Sequence, residues 1–295
     1  MTMKWAAPLV ASVCFLGTAQ AQFPGGPDSF KFAVIGDTGT GGRAQFQVGA
    51  RLAQLQKAFP FNSVLMLGDN LYGSQKARDF VSKFEHPYAD LLTAGVKFYA
   101  ALGNHDAPSQ QSYERFNMGG RNYYSFQPMA HVRFFALDSN RVDRDQLAWL
   151  QKELAQAGDD WKIAFFHHPL YSSAMRHGSS LELRAMLEPI FAKYGVAAVF
   201  AGHDHTYERV KPQKGVTYFV AGGSSKLRAN SVRPGAFTAK SFDTDNSFAL
   251  FEIDKDTMYF RAVSRTGKVV DEGSLLRPGT EHVTTSAAAA ESAHQ

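Results

Sequence analysis

Short apolar runs alternate with helical patterns along the first two thirds of the chain, and five of these runs stop at a polar residue. The five runs cover residues 32–35, 64–67, 98–102, 162–166 and 196–201. Their length and composition are typical of buried strands. Helical periodicity is found between them, at 44–58, 79–92, 146–157 and 181–194, with Asp143 or Asp145 near a plausible N-terminal cap of the third helix.

The remaining pattern consists of further short strands, and the whole order predicts an α/β protein. Two paired strands are predicted at 122–126 and 131–137, and four more at 216–221, 248–253, 258–263 and 269–273. In an open α/β sheet, ligands gather outside the carboxyl ends of the strands. The five polar strand ends could therefore converge on one crevice.

Composition excludes a disordered chain and gives no sign of nucleic acid binding. Of the 295 residues, 44% are hydrophobic and 20% are charged, so the chain can bury a core. The formal net charge of +4 is modest, and no long run of lysine or arginine is present. An anionic small-molecule substrate is compatible with this charge.

The first 21 residues have the pattern of a secretory signal peptide. Lys4 is followed by an apolar stretch at 5–17 that is too short to span a bilayer, and Ala19-Gln20-Ala21 fits a cleavage site. The alternative is an N-terminal core helix. Cleavage removes Cys14, the only cysteine. The sequence after the cleavage site predicts one domain at 22–283, followed by a loose tail at 284–295. The expected mature protein is periplasmic or secreted, with no membrane span and no thiol ligand for a metal.

The polar strand ends lie in five short segments that carry the candidate chemistry. These are Gly-Asp-Thr-Gly at 36–39, Gly-Asp-Asn-Leu-Tyr at 68–72, Gly-Asn-His-Asp at 103–106, His-His-Pro at 167–169 and Gly-His-Asp-His at 202–205. Each segment alone could be an ordinary strand exit or turn. His203 and His205, two residues apart on an extended segment, point to the same side and can grip one metal ion or two neighbouring ions. Together the segments predict a metal site.

The same segments resemble those of the calcineurin-like metallophosphoesterases, which hold two metal ions in one site. The usual Asp-x-His motif of that superfamily is here Asp37-Thr38-Gly39, so one histidine is absent, and Tyr72 stands three residues after Asp69. Both features are marks of the purple acid phosphatases, in which a tyrosinate binds ferric iron. The similarity runs from about residue 32 to about residue 223 and looks like the small, tartrate-resistant type.

The resemblance implies a ferric ion beside a divalent ion of iron, zinc or manganese. It assigns the first ion to Asp37, Asp69, Tyr72 and His205. It assigns the second ion to Asp69, Asn104, His167 and His203, with Asp69 bridging. His167 is preferred to His168 because the family places its ligand two residues before the proline, so His168 is expected to be a supporting residue.

The resemblance also implies catalytic roles beside the metal ligands. His105 is expected to bind substrate or donate a proton, and Asp106 is close enough in sequence to orient it. His177 matches a second such histidine, although its spacing is one residue longer, and a solvated loop histidine is the alternative. Asp204 is expected to point away from the ligands on either side of it.

These expectations combine into an exported phosphatase that hydrolyses phosphomonoesters by attack of a metal-bound hydroxide. The implied fold is a four-layer αββα sandwich of two mixed sheets, with helices on both outer faces. One alternative is a phosphodiesterase acting on nucleotides or phospholipid head groups, and another is an iron-dependent redox protein. A binding-only relative of the fold is a third, which the complete ligand set disfavours. The physiological ester and the oligomeric state are not predicted.

Overall fold

The computed structural model describes residues 23–280 and contains two mixed β-sheets that pack face to face. The expected signal peptide at 1–21 and the whole of the expected tail at 284–295 lie outside the described residues, as do residues 22 and 281–283 of the expected domain. Within 23–280 the strands are β1 (Phe30–Ile35), β2 (Ser63–Met66), β3 (Lys97–Ala100), β4 (Tyr124–Met129), β5 (Val132–Ala136), β6 (Trp161–Phe166), β7 (Ala198–Ala201), β8 (Tyr207–Val210), β9 (Thr217–Ala221), β10 (Thr238–Phe242), β11 (Ser247–Asp254), β12 (Thr257–Ser264) and β13 (Val269–Leu276).

The strands that carry the candidate chemistry form the parallel parts of both sheets. The first sheet has the order β13-β12-β11-β1-β2-β3, with β1, β2 and β3 parallel. The second has the order β10-β8-β9-β7-β6-β5-β4, with β5, β6, β7 and β9 parallel. The five predicted strand ends are thus divided between two sheets, three in the first and two in the second.

Five α-helical segments connect the strands in the described part of the chain: α1 (Arg43–Ala58), α2 (Ala77–Phe80), α3 (Ala89–Thr93), α4 (Arg144–Gln156) and α5 (Leu181–Tyr194). Helix α4 begins at one of the two predicted caps, where Asp143 Oδ1 accepts the Gln146 N–H at 3.0 Å. The helical stretch predicted over 79–92 is confirmed in part, because a turn at residues 86–88 divides it. A π-helical turn and then Pro87, which has no N–H to donate, separate α2 from α3. No helix within 23–280 combines the length and apolar character needed to cross a bilayer.

Successive side chains on the strands of the second sheet face alternately toward the first sheet and toward the helices, which produces the layers of the fold. Phe134 on β5 and Phe200 on β7 face the first sheet and contact the ring of Phe32 on β1, at centroid distances of 5.2 and 6.1 Å. Their neighbours Phe135 and Val199 face outward, onto a separate apolar cluster with α4 and α5. Helices α1 and α3 pack against the first sheet. The predicted four-layer αββα sandwich is confirmed.

Two strands were not predicted from the sequence, and both belong to the second sheet. Strand β8 follows directly on the histidine-rich segment at 202–205, and β10 lies at the edge beside it. The side chains of β10 are half-buried or exposed and largely polar, so the apolar alternation that marks a strand is weak there. Strand β10 pairs with β8, and the loop before β10 contributes residues to the site described next.

Candidate metal centre

The side chains predicted to hold the first ion lie together at the ends of β1, β2 and β7. The Tyr72 hydroxyl is 3.1 Å from Asp37 Oδ1 and 3.3 Å from His205 Nε2, and His205 Nε2 is 3.3 Å from Asp37 Oδ1. A carboxylate oxygen of Asp69 lies within 4.8 Å of those of Asp37 and of a ring nitrogen of His205. This first group offers carboxylate and phenol oxygens with one imidazole.

The side chains predicted to hold the second ion meet at the ends of β3, β6 and β7. Asn104 Oδ1 is 3.0 Å from both His167 Nε2 and His203 Nδ1, and these two nitrogens are 3.1 Å apart. Asp69 Oδ1 is 3.5 Å from His167 Nε2. Because Asp69 also belongs to the first group, it is the one side chain shared by both.

The imidazoles of both groups are held neutral, with lone pairs available for a metal. His167 Nδ1 is 2.8 Å from the carbonyl oxygen of Leu67, so Nδ1 carries the hydrogen and Nε2, on the side of Asn104 Oδ1, keeps a lone pair for a metal ion. Burial and the adjacent His167 ring lower the pKa of His203 to about 2. Burial and the cation of Arg228 lower the pKa of His205 to about 4.

In the first group, burial and the repulsion between two neighbouring carboxylates disfavour the ionised forms when no cation is bound. Asp37 is fully buried and Asp69 nearly so. Burial, followed by the neighbouring charge of Asp69, raises the pKa of Asp37 well above its usual value. Burial and the charge of Asp37 likewise raise the pKa of the Tyr72 phenol. A bound cation would reverse both effects, since an adjacent positive charge favours the anionic forms. The donor set therefore fits a metal ion.

Packing around Gly39 explains why this chain lacks the histidine of the usual Asp-x-His motif. A Cβ atom at residue 39 would lie 1.9 Å from the carbonyl oxygen of Asn70. Hydrogen bonds fix this approach, because Gly39 N–H donates to Asp69 O at 3.3 Å and Tyr72 N–H donates to Gly39 O at 2.8 Å. The backbone that carries Tyr72 therefore occupies the space that a side chain at residue 39 would need.

Three of the predicted ligands have backbones in the left-handed region that favours glycine. The φ angles are 55° at Asp37, 52° at Asp69 and 68° at His203. These turns aim the side chains away from their strands and into the centre. The backbone N–H of His203 donates to Asp37 Oδ2 at 2.9 Å, which leaves Asp37 Oδ1 to face Tyr72 and His205. Strained backbone of this kind is concentrated at functional sites in proteins.

The two candidate catalytic histidines lie beside different groups of the centre. His105 is exposed, and its ring centroid is 5.0 Å from that of Tyr72 in the first group. Its backbone N–H donates to Asp69 Oδ1 at 3.0 Å, which fixes its position beside the shared carboxylate. His177 is also exposed, and its ring centroid is 4.1 Å from that of His203 in the second group. Both rings can therefore reach a substrate bound between the groups.

The carboxylate of Asp106 braces the loops beneath the centre. Its Oδ2 accepts N–H bonds from Asn70 at 3.0 Å and Gly103 at 2.8 Å, and its Oδ1 accepts bonds from Leu71 N–H at 3.0 Å and Gln110 Nε2 at 2.7 Å. Burial raises the pKa of Asp106 to about 6, against the opposing effect of these donors. Sequence reasoning assigned Asp106 to orienting His105, whereas these contacts connect it to the loops after β2 and β3.

Replacing Asp106 by asparagine is expected to destabilise the protein strongly, because either orientation of the amide directs its NH₂ group at two N–H donors. Each buried donor left without an acceptor costs about 1–3 kcal/mol, so we expect a loss of at least about 2 kcal/mol in the free energy of unfolding. Urea unfolding at pH 8, where the carboxylate is ionised, measures this loss. Asp90→Asn, on exposed α3 surface, is the matched control. Equal unfolding midpoints for the two variants would contradict the bracing role.

Asp204 turns away from its two histidine neighbours, as predicted, and contacts the loop that carries His177. Its Oδ2 accepts a bond from Ser172 Oγ at 2.6 Å and another from the Gly178 N–H at 3.2 Å. Ser172 and Gly178 lie on either side of His177 in the chain. Asp204 therefore connects the segment of the metal ligands to the position of His177.

Sequence reasoning missed the residues on the loop before β10 and the serine after β5. Lys226 N–H donates to Asp37 O at 3.2 Å, and its Nζ lies 4.3 Å from the centre of the Tyr72 ring. Arg228 N–H donates to His205 O at 3.0 Å. Ser139 Oγ contacts the adjacent histidines at 167 and 168. No local pattern marks these residues, because their roles depend on contacts with distant parts of the chain.

Comparison with known proteins identifies the class to which this fold and site belong. Residues 30–207 match the family described as calcineurin-like phosphoesterase. This range is more than half of the chain, which therefore belongs to the calcineurin-like phosphoesterase family, as the motifs predict.

Within this family, the chain is similar to acid phosphatases. Human tartrate-resistant acid phosphatase type 5 is 27% identical over 323 residues, covering 92% of this chain and 98% of that protein. A purple acid phosphatase from yellow lupin seeds has a TM-score of 0.68 at 20% identity, covering 86% of this chain and 55% of that one. GAP50, described as the anchor in the inner membrane complex of Plasmodium, has a TM-score of 0.72 at 18% identity, covering 84% and 89%. These two structures show the fold alone. The predicted resemblance to purple acid phosphatases, and with it the enzyme class of phosphatase, is confirmed.

Proposed function

We propose that the protein hydrolyses phosphomonoesters at a binuclear centre of ferric iron and a divalent ion of iron, zinc or manganese. The observation that carries this proposal is the convergence of seven side chains from two sheets into two adjoining groups that share Asp69. The proposed ligands of the ferric ion are Asp37, Asp69, Tyr72 and His205, and those of the divalent ion are Asp69, Asn104, His167 and His203.

The chemistry of the two groups supports different ions. Carboxylate and phenolate oxygens are hard donors that suit a trivalent ion, whereas an amide oxygen and two imidazoles suit a divalent one. When bound, the pair would supply Lewis acidity toward phosphate and lower the pKa of water at the site. The protein's own part is to hold the donors close together after the ends of the strands, as in the pairs His167–Asn104 at 3.0 Å and His167–Asp69 at 3.5 Å.

A rim of positive charge around the centre supports an anionic substrate. Lys226 lies over the Tyr72 ring, and Arg228 is fixed by its backbone to His205. In the described part of the chain, Arg228 Nη1 is buried without a hydrogen-bond partner. Partial desolvation, followed by the charges of Arg228 and Arg176, lowers the pKa of the His177 ring. A phosphate group would meet donors from both the loop before β10 and the exposed histidines.

Relative activity on a phosphate monoester and a phosphate diester of p-nitrophenol distinguishes this function from that of a phosphodiesterase. We expect protein reconstituted with iron and zinc to hydrolyse p-nitrophenyl phosphate far faster than bis(p-nitrophenyl) phosphate. Asp37→Asn, which removes a charged donor from the first group, is the inactive control. A preference for the diester, with both ions bound, would assign the protein to the phosphodiesterases instead.

Replacing Tyr72 by phenylalanine is expected to abolish the visible colour of the oxidised protein. A phenolate bound to ferric iron gives a charge-transfer band that makes such a protein pink to purple, and phenylalanine has no oxygen to donate. The visible spectrum, recorded together with iron content, tests this expectation. Tyr123→Phe, on the loop before β4, is the control that should leave the colour unchanged. An active, iron-loaded wild-type protein without a visible band would exclude Tyr72 as a ligand.

We also propose that the protein is exported to the periplasm or secreted. The support is the N-terminal sequence, in which Lys4, an apolar stretch at 5–17 and the Ala19-Gln20-Ala21 site have the order of a signal peptide. N-terminal sequencing of the mature protein should begin at Gln22. A mature chain that retains Met1 or Thr2 would contradict export by this route.

A further inference from the structure

Ser139, just after strand β5, makes three contacts with the adjacent histidines at 167 and 168. Its hydroxyl oxygen accepts the backbone N–H of His167 at 3.2 Å and that of His168 at 3.0 Å. The same oxygen is 2.9 Å from Nδ1 of the His168 ring. Ser139 is buried, with 5% of its surface exposed, so solvent does not compete for these contacts.

The hydrogen-bonding capacity of a serine hydroxyl determines the direction of the third contact. A hydroxyl has one donor hydrogen and two acceptor lone pairs. The two backbone N–H groups use both lone pairs, so the hydroxyl hydrogen must point at His168 Nδ1. Because Nδ1 is then an acceptor, the neutral ring carries its hydrogen on Nε2. Neither nitrogen of His168 keeps a free lone pair.

The tautomer of His168 matters because its ring lies beside two proposed ligands of the second ion. A ring nitrogen of His168 lies within 4.8 Å of those of His167 and His203, so the three rings are close enough to share one ion. The ring centroid of His168 is 4.4 Å from that of His203 and 4.9 Å from that of His167. His167 has the opposite tautomer, because its Nδ1 hydrogen is donated to Leu67 O. The two neighbouring histidines are thus distinguished by their partners at Nδ1.

We propose that Ser139 is a positioning residue that holds His168 as a hydrogen-bond donor and so keeps it from becoming a third imidazole ligand of the second ion. This inference rests on the proposed binuclear centre. A catalytic metal ion needs a coordination position that is open to substrate or water, and a third imidazole would fill it. The Nε2–H group that remains on His168 suits an anionic phosphate oxygen rather than a cation.

Metal affinity in Ser139 variants tests the inference independently of turnover. The variants are Ser139→Ala, Ser139→Thr, His168→Ala and the double variant Ser139→Ala/His168→Ala. Each metal-free protein is titrated with Co²⁺ against a chelator, and the visible Co²⁺ spectrum reports the coordination number. Outer partners of metal ligands change affinity by about 10- to 100-fold. We expect Ser139→Ala to bind the second ion about tenfold tighter or more, with higher coordination and a lower kcat.

The other variants separate a coordination effect from a packing effect. Ser139→Thr keeps a hydroxyl and should restore wild-type affinity. The double variant should return to the affinity of His168→Ala, because the added ligand is gone. Unfolding by circular dichroism confirms that each variant is folded. If Ser139→Ala binds the second ion no more tightly than wild type, and His168→Ala has no effect in that background, the inference is wrong.

Two further results keep the inference distinguishable from the proposed function. The ¹⁵N chemical shifts of the His168 ring in metal-free wild-type protein should show an unprotonated Nδ1 and a protonated Nε2. A protonated Nδ1 would overturn the inference. This measurement uses wild-type protein, so it remains decisive even if Ser139→Ala fails to fold. A wild-type protein that takes up no second ion would overturn the proposed centre as well. Normal wild-type loading with unaltered Ser139→Ala affinity would overturn only the role of Ser139.

Discussion

Replacing His167 by alanine is expected to remove the second metal ion and to lower kcat for phosphomonoesters by more than about a hundredfold. Loss of an outer partner of a ligand already costs about 10- to 100-fold, and His167 is itself a proposed ligand. Its Nε2 lies 3.0 Å from Asn104 Oδ1, and the ring is oriented by the Leu67 carbonyl at Nδ1. Elemental analysis of the purified variant, together with its kinetics, measures both losses.

The matched control is His168→Ala, in which the adjacent ring is removed from the same strand end. His168 Nδ1 accepts the Ser139 hydroxyl, so this ring offers no lone pair, and both ions should remain bound. A smaller kinetic loss is expected because a donor to substrate disappears. Equal metal loss in the two variants, or greater loss in His168→Ala, would contradict the assignment of His167 as the ligand.

Replacing His105 by alanine is expected to slow the hydrolysis of alkyl phosphates far more than that of p-nitrophenyl phosphate. An alkoxide is a strongly basic leaving group that needs a proton in the transition state, whereas p-nitrophenolate leaves without much help. General acid catalysis contributes about 10²–10⁴-fold, and this factor should be lost mainly for the alkyl ester. The His105 ring is exposed beside Tyr72, and its backbone is fixed to Asp69, so it can reach the leaving group.

The kinetic comparison needs kcat for both esters, with metal content checked in each variant. His177→Ala should show a weaker form of the same pattern if the ring beside His203 shares the role. His86→Ala, at an exposed position in the turn between α2 and α3, provides a control that should alter neither ester. An equal loss on both esters would mean that His105 positions the phosphate, and no loss on either would remove it from the reaction.

The sequence predicted the strand ends of the site because the signal there is local. A short apolar run that stops at Asp37, Asp69 or Asn104 identifies both the strand and the polar residue at its carboxyl end. The resemblance then grouped these residues with the histidines, and in the structure the same side chains lie together. The close packing that leaves no room for a side chain at residue 39 could not be predicted, because it depends on the path of the backbone at Asn70.

What could not be predicted depends on contacts between distant segments. Ser139 and His168 are 29 residues apart, and nothing in either segment indicates that the hydroxyl is donated to the ring. Lys226 reaches Tyr72 from a loop that has no apolar periodicity. The break at 86–88 in the predicted helical stretch coincides with Pro87, and the apolar periodicity on either side of it does not show the break.

In the proposed centre, the left-handed backbones of Asp37, Asp69 and His203 set metal binding against folding stability at the same positions. Each such conformation costs on the order of 1–3 kcal/mol in a residue other than glycine, and glycine would relieve it. Glycine at residue 37 or 69 would also remove the repulsion between the buried carboxylates of Asp37 and Asp69. Selection for stability alone therefore leads away from these residues, and the proposed metal binding is the function that would retain them. A descendant released from catalysis could keep the fold and relax all three positions.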